Sequence, residues 1–538
     1  MKKGFLFFFM FLSTIGFAQE DAWVYFNTKT NAQPYYDTPL LMLSQRSIDR
    51  RVRQSIALDL KDVPIDVAYI NQIKLVAGLT VKAKSKWLNA IHVRGTQAVI
   101  NSLKNFSFVN KVDFANKALN QTGKVAVGAK NTSQNTISET KVAYAYGTSE
   151  NQIKMLNGHV LHEQNYTGTG KIIAVMDAGF PGVNTALPFK RLRDNNQILG
   201  GYDYVSRNDN FYTGDSHGTL VLSTMGGYQE NALVGTAPDA SYYLFITEDA
   251  NSENPIEESL WVEAAEKADS LGVDVINTSL GYFEYDNTNY NHTYSELNGV
   301  TAFMSRGAEI AFSRGMIVVA SAGNEGTTSN PHVAVPADAV SVLAIGAVSA
   351  TKIKASFSSI GPSYDGRIKP DLMAQGVSAV VSDPSGNIST ADGTSFSGPI
   401  MAGMIASFWQ AFPQKTNKQI RDLVVKSADR YTSPSAQYGY GIPNFSTALN
   451  AGSLGVDDFN FSKLITYPNP TFDYVSFTFP ESISNGKVII YSFLGQKVLE
   501  QEISGQTDSV SLLGLTNGTY IYKIESDTFS KSGKVIKQ

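Results

Sequence analysis

The chain has 538 residues, of which 43% are hydrophobic and 17% are charged, so it can bury large cores and is not a charge-rich disordered protein. Its 44 Lys and Arg residues against 48 Asp and Glu residues give a net charge of −4. This balance disfavours nucleic acid as a partner, because phosphate binding needs a clustered basic surface. The absence of cysteine excludes disulfide scaffolds, cysteine-ligated zinc, Fe–S clusters and thiol nucleophiles.

Residues 1–18 have the pattern of an export signal. Lys2 and Lys3 give a positive start, an apolar run spans 5–12, and small residues lead to a cleavage site after Ala18. The run is much shorter than the ~20 residues that cross a bilayer, so we predict a cleaved signal peptide rather than an uncleaved anchor. No later segment has ~18 uninterrupted apolar residues, and we expect a soluble mature protein that is secreted or displayed at the cell surface.

Residues 19–150 are predicted to form an α+β domain followed by a linker. Residues 22–26 are rich in aromatic and β-branched side chains, which indicates a strand. We interpret a group of four arginines as a solvated helix face: Arg46, Arg50, Arg51 and Arg53. From residue 120 to about 151 the composition shifts to Gly, Ser, Thr, Asn and Gln, which favours an exposed linker that proteases can reach.

The region 151–455 alternates between predicted strands and helices. Nearly continuous apolar runs predict buried strands at residues 171–176, 242–246, 273–277, 316–320 and 342–345. An apolar stripe predicts a helix that Gly272 ends. Asn254, Pro255 and Glu257 fit its cap, its first position and a capping box. The alternation predicts an α/β fold, a mostly parallel sheet with helices on both faces.

Residues 464–538 show a different pattern. Short segments alternate between apolar and polar side chains at 474–479, 487–491 and 519–524, with glycines where turns are needed. Alternation with a period of two and regular turns predicts a small β-sandwich.

Three polar residues stand where an α/β sheet presents catalytic groups. Asp177 follows the predicted strand 171–176, and the carboxyl ends of parallel strands collect functional side chains. His217 precedes a predicted helix, and Ser395 opens another, where the helix dipole favours a developing oxyanion. Each residue alone fits a turn, a structural histidine or a helix cap. Together they supply a nucleophile, an imidazole that takes its proton and a carboxylate that orients the imidazole.

Asn324 is a fourth candidate. It follows the predicted strand 316–320, where Gly-Asn by itself indicates a turn. Beside the three residues above, we interpret its side-chain amide as a donor to the tetrahedral intermediate. The backbone N–H of Ser395 would be the second donor.

These segments resemble the signatures of subtilisin-like serine proteases, over residues 151–455. The motifs that carry the resemblance are Asp177-Ala178-Gly179, His217-Gly218-Thr219, Ser321-Ala322-Gly323-Asn324 and Gly393-Thr394-Ser395-Phe396-Ser397-Gly398-Pro399. The resemblance implies that Asp177 orients His217, that His217 is general base and then acid, and that Ser395 attacks the peptide bond. It implies a secreted, monomeric serine endopeptidase that cleaves proteins or peptides through an acyl-enzyme.

The resemblance also implies a substrate cleft. Ser279, Leu280 and Gly281 would form one wall of the specificity pocket, and Ala322 and Gly323 the other. Pairing of an extended substrate in such a cleft reads the backbone first. Because these walls are mainly apolar, we expect a broad, hydrophobic cleavage preference.

Two residues depart from the family's usual pattern and leave the triad intact. Ala178 stands where the family usually has Ser or Thr, and Phe396 stands where Met is common. No cofactor is expected for catalysis. Family members often bind structural calcium, but no loop of this sequence has a convincing ligand spacing, so metal binding stays open.

The flanking regions resemble known companions of such proteases. Residues 19–150 take the place of an inhibitory propeptide, and we expect it to assist folding, block the cleft and be cut off near Asn151. The C-terminal region resembles type IX secretion sorting domains, with the similarity at residues 467–470, 494–496, 518–520 and 534–537. The expected partners are therefore peptide substrates, the chain's own propeptide and the type IX secretion machinery.

Two other functions fit part of the pattern. An α/β-hydrolase esterase would follow the chain order Ser, Asp, His and use G-x-S-x-G, whereas here Ser397 replaces the last glycine. A catalytically inactive adhesin built on a protease scaffold is the other alternative, although no triad member is missing. Fluorophosphonate labelling that is lost in Ser395→Ala would distinguish an enzyme from an adhesin.

Overall fold

The computed structural model describes residues 19–120, 144–453, 465–467, 469–478, 485–492, 495–504, 507–526 and 529–538. The chain divides into two compact units, residues 1–454 and 455–538. The predicted signal peptide and most of the predicted linker lie outside the described residues.

The N-terminal part of the first unit is an antiparallel sheet with short helices. Its strands are β1 (Gln19–Phe26), β2 (Leu79–Ser85), β3 (Ala90–Thr96) and β4 (Val109–Phe114), in the order β2-β3-β1-β4. Its helices are α1 (Gln33–Asp37), α2 (Gln45–Arg53), α3 (Val67–Lys74) and α4 (Gln97–Ser102). The strand predicted here is confirmed as part of β1. Ala22, Val24 and Phe26 point into this region's own core, whereas Trp23 and Tyr25 pack against the rest of the unit.

A seven-stranded parallel sheet forms the centre of the first unit. Its strands are β5 (Ile172–Asp177), β6 (Ile198–Asp203), β9 (Ser241–Ile246), β10 (Val275–Thr278), β11 (Ile317–Ser321), β12 (Leu343–Val348) and β13 (Leu372–Gln375). Their order is β13-β12-β11-β10-β5-β9-β6, and every pair is parallel. Two small hairpins lie outside it: β7 (Tyr228–Gln229) with β8 (Leu233–Val234), and β14 (Ala379–Ser382) with β15 (Ile388–Ala391). The parallel sheet confirms the predicted α/β fold.

Helices cover both faces of this sheet. They are α5 (Glu150–Lys154), α6 (His159–Glu163), α7 (Lys190–Asp194), α8 (His217–Gly226), α9 (Ile256–Leu271), α10 (Phe303–Ser313), α11 (Thr394–Ala411), α12 (Asn417–Lys426) and α13 (Phe445–Ser453). Ile173 and Val175 of β5 pack in the core that contains α8 and α11, and Ala174 and Met176 pack in the core that contains α9 and α10. Both faces of β5 are therefore buried, as its apolar run predicts. No helix among the described residues is long and apolar enough to cross a membrane.

The predicted helix start is partly confirmed. Helix α9 begins at Ile256, so Pro255 occupies the cap position rather than the first turn, and no cap side chain bonds to the helix. The Glu257 carboxylate accepts a hydrogen bond from the Asn254 N–H at 2.8 Å, which is one half of a capping box. Gly272 ends the helix with φ at 83°, as predicted.

The predicted solvated arginine face is wrong for two of its four members. The side chains of Arg50 and Arg51 in α2 are only 1% and 2% exposed, whereas Arg53 is exposed. Asp62 and Asp269 pair with the two buried guanidinium groups and compensate their charge.

The second unit consists of antiparallel strands. They are β16 (Ile465–Tyr467), β17 (Tyr474–Thr478), β18 (Asn485–Ser492), β19 (Lys497–Ser504), β20 (Thr507–Ser511), β21 (Gly518–Ser526) and β22 (Phe529–Lys537). One sheet has the order β16-β17-β20 and the other β19-β18-β21-β22. Val475 and Phe477 of the first sheet share a core with Val488, Ile490 and Ile524 of the second. Two sheets around one core agree with the predicted small β-sandwich.

Candidate active site

The carboxyl end of the central strand β5 carries the first candidate residue. Asp177 is the last residue of β5, and its side chain is fully buried. Its Oδ1 accepts a hydrogen bond from the Ala178 N–H at 2.9 Å. Its Oδ2 is buried and has no hydrogen-bond partner among the described residues, and the methyl group of Ala178 cannot offer one. One carboxylate oxygen is thus fixed by the backbone and remains able to accept a further bond.

His217 makes that bond. It is the first residue of α8, and its Nδ1 lies 2.7 Å from Asp177 Oδ1. A carboxylate can only accept there, so the proton is on Nδ1 and Nε2 is left as the basic nitrogen. Gly218 permits the approach, because a Cβ there would lie 2.4 Å from the Gly179 carbonyl oxygen and 2.9 Å from Asp177 Cβ.

The charge around His217 favours its protonated form. Burial by itself lowers the pKa of an imidazole, but the Asp177 carboxylate, with smaller contributions from Glu248 and Asp215, raises the pKa of His217 to about 9. The ring is 30% exposed and therefore accessible from the cleft. His217 thus has the position and the basicity of a general base.

Ser395 is the second residue of α11 and is buried. Its hydroxyl donates to the Ser279 carbonyl oxygen at 3.3 Å, and its own carbonyl accepts from the Ser279 hydroxyl at 2.9 Å. Pro399 explains the second bond, because its missing N–H leaves the carbonyl four residues earlier without a helical donor. Ser279 therefore fixes the start of α11 through two hydrogen bonds to Ser395.

His217 and Ser395 line one cleft of about 780 Å³. Within the described part of the chain, no hydrogen bond joins the imidazole to the Ser395 hydroxyl, which is bonded to Ser279 instead. Catalytic hydrogen bonds are often loose before substrate binds, and a rotation about the Ser395 Cα–Cβ bond would redirect the hydroxyl. The structure thus joins the carboxylate to the imidazole directly and places the hydroxyl in the same cleft.

Asn324 lies in this cleft with its amide oriented. Its Oδ1 accepts from the Thr394 N–H at 2.9 Å and from the Thr394 hydroxyl at 3.0 Å. Both bonds use the oxygen, so the Nδ2 group is left as a donor. The N–H groups of the first helical turn, including that of Ser395, also have no acceptor within the helix.

Four of the five predicted wall residues line the cleft. They are Ser279, Leu280, Gly281 and Gly323. Ala322 is not a wall residue: it is fully buried, and its side chain packs in the core beneath the sheet. Its N–H continues the pairing of β11 by donating to the Ile345 carbonyl at 3.0 Å.

The acidity of the cleft was not predicted from the sequence. Seven carboxylates line it: Asp215, Glu248, Asp249, Glu253, Glu284, Asp286 and Glu325. Burial, with repulsion from Asp177 and Glu253, raises the pKa of Glu248 to about 8. Glu248 follows β9, the neighbour of β5, so the rule that ligands collect at the carboxyl ends of strands could have identified it.

No group of three or more potential ligands is arranged to hold a metal ion within the ranges that the structure describes. Phe396, the second departure from the family's pattern, is buried with its ring centroid 6.0 Å from that of His217. Helix α11 continues through it without interruption.

Three family models match the chain. The Subtilase family matches residues 168–441, a Bacteroidota propeptide domain of peptidase family S8 matches 21–135, and a secretion-system C-terminal sorting domain matches 466–538. The chain is 33% identical over 316 residues to Subtilisin NAT of Bacillus subtilis subsp. natto and to Subtilisin E of Bacillus subtilis (strain 168). Each match covers 58% of this chain and 74% of the relative. Subtilisin of Bacillus pumilus is 33% identical over 299 residues, which are 55% of this chain and 97% of that protein.

Proposed function

Because the chain belongs to the subtilase family, we propose that it cleaves peptide bonds through a triad of Asp177, His217 and Ser395 and an acyl-enzyme intermediate. The chain is a serine endopeptidase with a propeptide and a type IX sorting domain, and it is secreted or carried on the cell surface. One observation carries the proposed mechanism. His217, whose Nδ1 is bonded to Asp177 at 2.7 Å, lines the same cleft as Ser395.

The first half of the reaction uses all three residues. The Ser395 hydroxyl attacks the scissile carbonyl carbon while His217 Nε2 takes its proton. Asp177 keeps the other ring proton on Nδ1 and stabilises the imidazolium that forms. The carbonyl oxygen becomes an oxyanion, which the Asn324 amide and the Ser395 N–H stabilise. His217 then gives its proton to the leaving amine, the C–N bond breaks, and the acyl group stays on Ser395.

The second half repeats the chemistry with water. His217 takes a proton from water, the resulting hydroxide equivalent attacks the ester, and the proton returns to the Ser395 oxygen as the acid leaves. The substrate would lie extended along Ser279, Leu280 and Gly281, where backbone groups beyond β10 can pair with it. A hydrophobic cleavage preference and a monomeric state remain predictions. The reaction as written needs no metal.

The oxyanion donor gives a first prediction. Asn324→Ala should lower kcat by roughly 10²–10³ with little change in KM, a magnitude carried over from the corresponding asparagine of subtilisin. The amide would bind the oxyanion and not the ground-state carbonyl, so its removal acts on the transition state. Steady-state hydrolysis of a chromogenic peptide measures both constants. Asn330→Ala is the matched control, because Asn330 lines the same cleft. An unchanged kcat in Asn324→Ala would contradict this assignment.

The pH profile gives a second prediction. His217 acts as a base only when neutral, and its raised pKa keeps it protonated at low pH, so kcat/KM should rise with pH to a midpoint above the ordinary histidine value of about 6.5. Glu248→Gln removes one of the anions that favour the imidazolium. We expect the midpoint to move to lower pH. The rise in kcat/KM, about two- to fivefold, should be confined to the range between about pH 8, above which Glu248 is ionised, and the midpoint.

The control for the pH experiment is Glu284→Gln, because Glu284 also lines the cleft but is not among the carboxylates that raise the pKa of His217 most. The midpoint of that variant should stay in place. A midpoint that moves equally in both variants, or in neither, would contradict a specific effect of Glu248 on the base.

We propose that residues 19–120 with the following linker assist folding, block the cleft and are then removed. No residue of 19–120 lines the cleft, and the linker residues 121–143 lie outside the described part of the chain. Tyr146 and Ile153 are buried in the core that contains α8 and α11. We therefore propose a cut before Tyr144 rather than near Asn151, because a cut there leaves this packing intact. Fully active secreted enzyme that still carries residues 19–150 would contradict the removal.

A further inference from the structure

The N-terminal domain contacts the peptidase domain at two adjacent places. At the first, the β1–β4 sheet lies on α9 and α10: the Trp23 ring stacks on Phe303 with centroids 5.2 Å apart, and Glu266 accepts from the backbone N–H groups of Lys86 and Trp87 at 2.9 Å each. At the second, a segment that we call the arm, residues 44–62, packs around the C-terminal end of α9, where that helix stops at Leu271. The arm contains α2 and the loop after it.

The arm is held by a buried ion network. Arg51 Nη2 lies 2.7 Å from Asp269 Oδ2 of the peptidase domain and 2.8 Å from Asp62 Oδ1 of the arm. Arg50 pairs with the other oxygen of Asp269. All four side chains are almost fully buried, so water screens their attraction little.

Both the arm and the peptidase domain contribute arginines and carboxylates to this network. Arg314 of the peptidase domain lies 2.8 Å from Asp59 and 3.5 Å from Asp62, both in the arm. Arg50, Arg51 and Arg314 thus balance Asp59, Asp62 and Asp269. Loss of one member would leave a buried charge without compensation, which costs far more than the loss of an exposed ion pair.

The end of α9 adds backbone acceptors. Carbonyl groups at a helix C-terminus have no helical donor and carry partial negative charge. Arg46 Nε donates to the Gly272 carbonyl at 2.9 Å, the Ser44 N–H donates to the Ser270 carbonyl at 2.8 Å, and Arg50 donates to Val273. The surface at the C-terminal end of α9 therefore offers acceptors that suit the arginine side chains of α2.

Lys29 fastens the arm to the sheet of its own domain. Its Nζ donates to the carbonyl oxygens of Leu60 and Val63 in and beside the arm, and of Lys86 after β2, at 2.5, 2.6 and 2.6 Å. All three ammonium protons are used. Lys29 thus joins the arm to the sheet, so that the two contacts with the peptidase domain are mechanically coupled.

We propose that the arm is a second anchor, remote from the cleft, that keeps the propeptide bound after the linker has been cut. No arm residue lines the cleft, so this anchor holds whether or not substrate is present. Once the propeptide has left, the surface around Asp269 is an anionic helix end that can rebind the arm of the propeptide. The inference rests on the proposed function only in requiring that the linker is cut.

The test uses the full chain with Ser395→Ala, so that the enzyme does not process or degrade itself. An added lysine-specific protease cuts the linker, which contains Lys124 and Lys130. Loss of the N-terminal fragment is followed by repeated gel filtration. We expect Arg51→Ala to speed dissociation on the order of 100-fold or more, the range for a broken buried pair. Arg53→Ala, on the same helix but exposed, should stay within about twofold.

A second measurement needs no change in the arm. In the cut complex, amide hydrogen exchange should be as slow in Gln45–Arg53 as in Gln19–Phe26, because both are released together. Equal dissociation rates for Arg51→Ala and Arg53→Ala would overturn the proposal, and so would rapid exchange in α2 while β1 stays protected. Neither readout depends on peptide hydrolysis, so failure of the proposed mechanism would appear separately, as activity that survives loss of the triad.

Discussion

Replacing Ser395 with alanine should lower kcat for peptide hydrolysis by roughly 10⁴–10⁶. The magnitude is carried over from subtilisin, where loss of the triad serine has an effect of this size. The physical reason lies in the cleft: the Ser395 hydroxyl is in the first turn of α11 and lines the same cleft as His217 and Asn324. Without it, only oxyanion stabilisation and substrate binding remain, and these accelerate direct attack by water modestly.

Ser397→Ala is the matched control for this experiment. Ser397 lies two residues further along α11, and its hydroxyl donates to the Thr394 carbonyl at 3.1 Å rather than facing the cleft residues. We expect it to retain activity within about tenfold. If Ser397→Ala lost activity and Ser395→Ala kept it, the nucleophile would be assigned to the wrong serine.

Asp177→Asn should lower kcat by about 10⁴, the loss known for the same substitution in a serine protease with this triad. An asparagine has nearly the shape of the aspartate, so the fold should survive. Its amide can donate to His217 Nδ1, however, which would place the ring proton on Nε2 and remove the base. Loss of the carboxylate also removes the main cause of the raised pKa of His217. The pH midpoint of the residual activity should therefore be lower than that of the wild-type enzyme.

Asp203→Asn provides a matched control for Asp177. Asp203 is also buried and also ends a strand of the same sheet, β6, but its Oδ1 accepts from the Ser206 N–H and does not contact His217. We expect kcat/KM within about tenfold of the parent. Equal losses in both variants would show that the effect comes from a destabilised sheet, which thermal unfolding of the two proteins would reveal.

Local patterns were sufficient to predict the sheet and the ends of strands and helices at which Asp177, His217 and Ser395 lie. The apolar run 172–176 has no polar side to present, so it had to be a strand buried on both faces, and its carboxyl end had to lie where functional side chains collect. His217 and Ser395 were predicted near helix starts, and they begin α8 and the first turn of α11. Capping and turn chemistry are local, which is why they can be read from sequence.

Contacts between distant parts of the chain could not be predicted in this way. The arginines of α2 show a charged pattern. That pattern does not reveal that Arg51 forms a buried ion pair with Asp269, which is 218 residues away in the chain. The same holds for the cleft, whose carboxylates come from separate loops that only the fold brings together. Ala322 was misplaced because one residue along a strand reverses the side chain from one face to the other.

A fluorophosphonate tests the central claim most directly, because it reacts only with a serine that a neighbouring base activates. The processed wild-type enzyme is labelled, digested and analysed by mass spectrometry to locate the modified residue. The proposed triad predicts one phosphonate per molecule, on Ser395, with labelling abolished in Ser395→Ala and strongly slowed in Asp177→Asn. Labelling at another residue, or labelling that persists in Ser395→Ala, would contradict it.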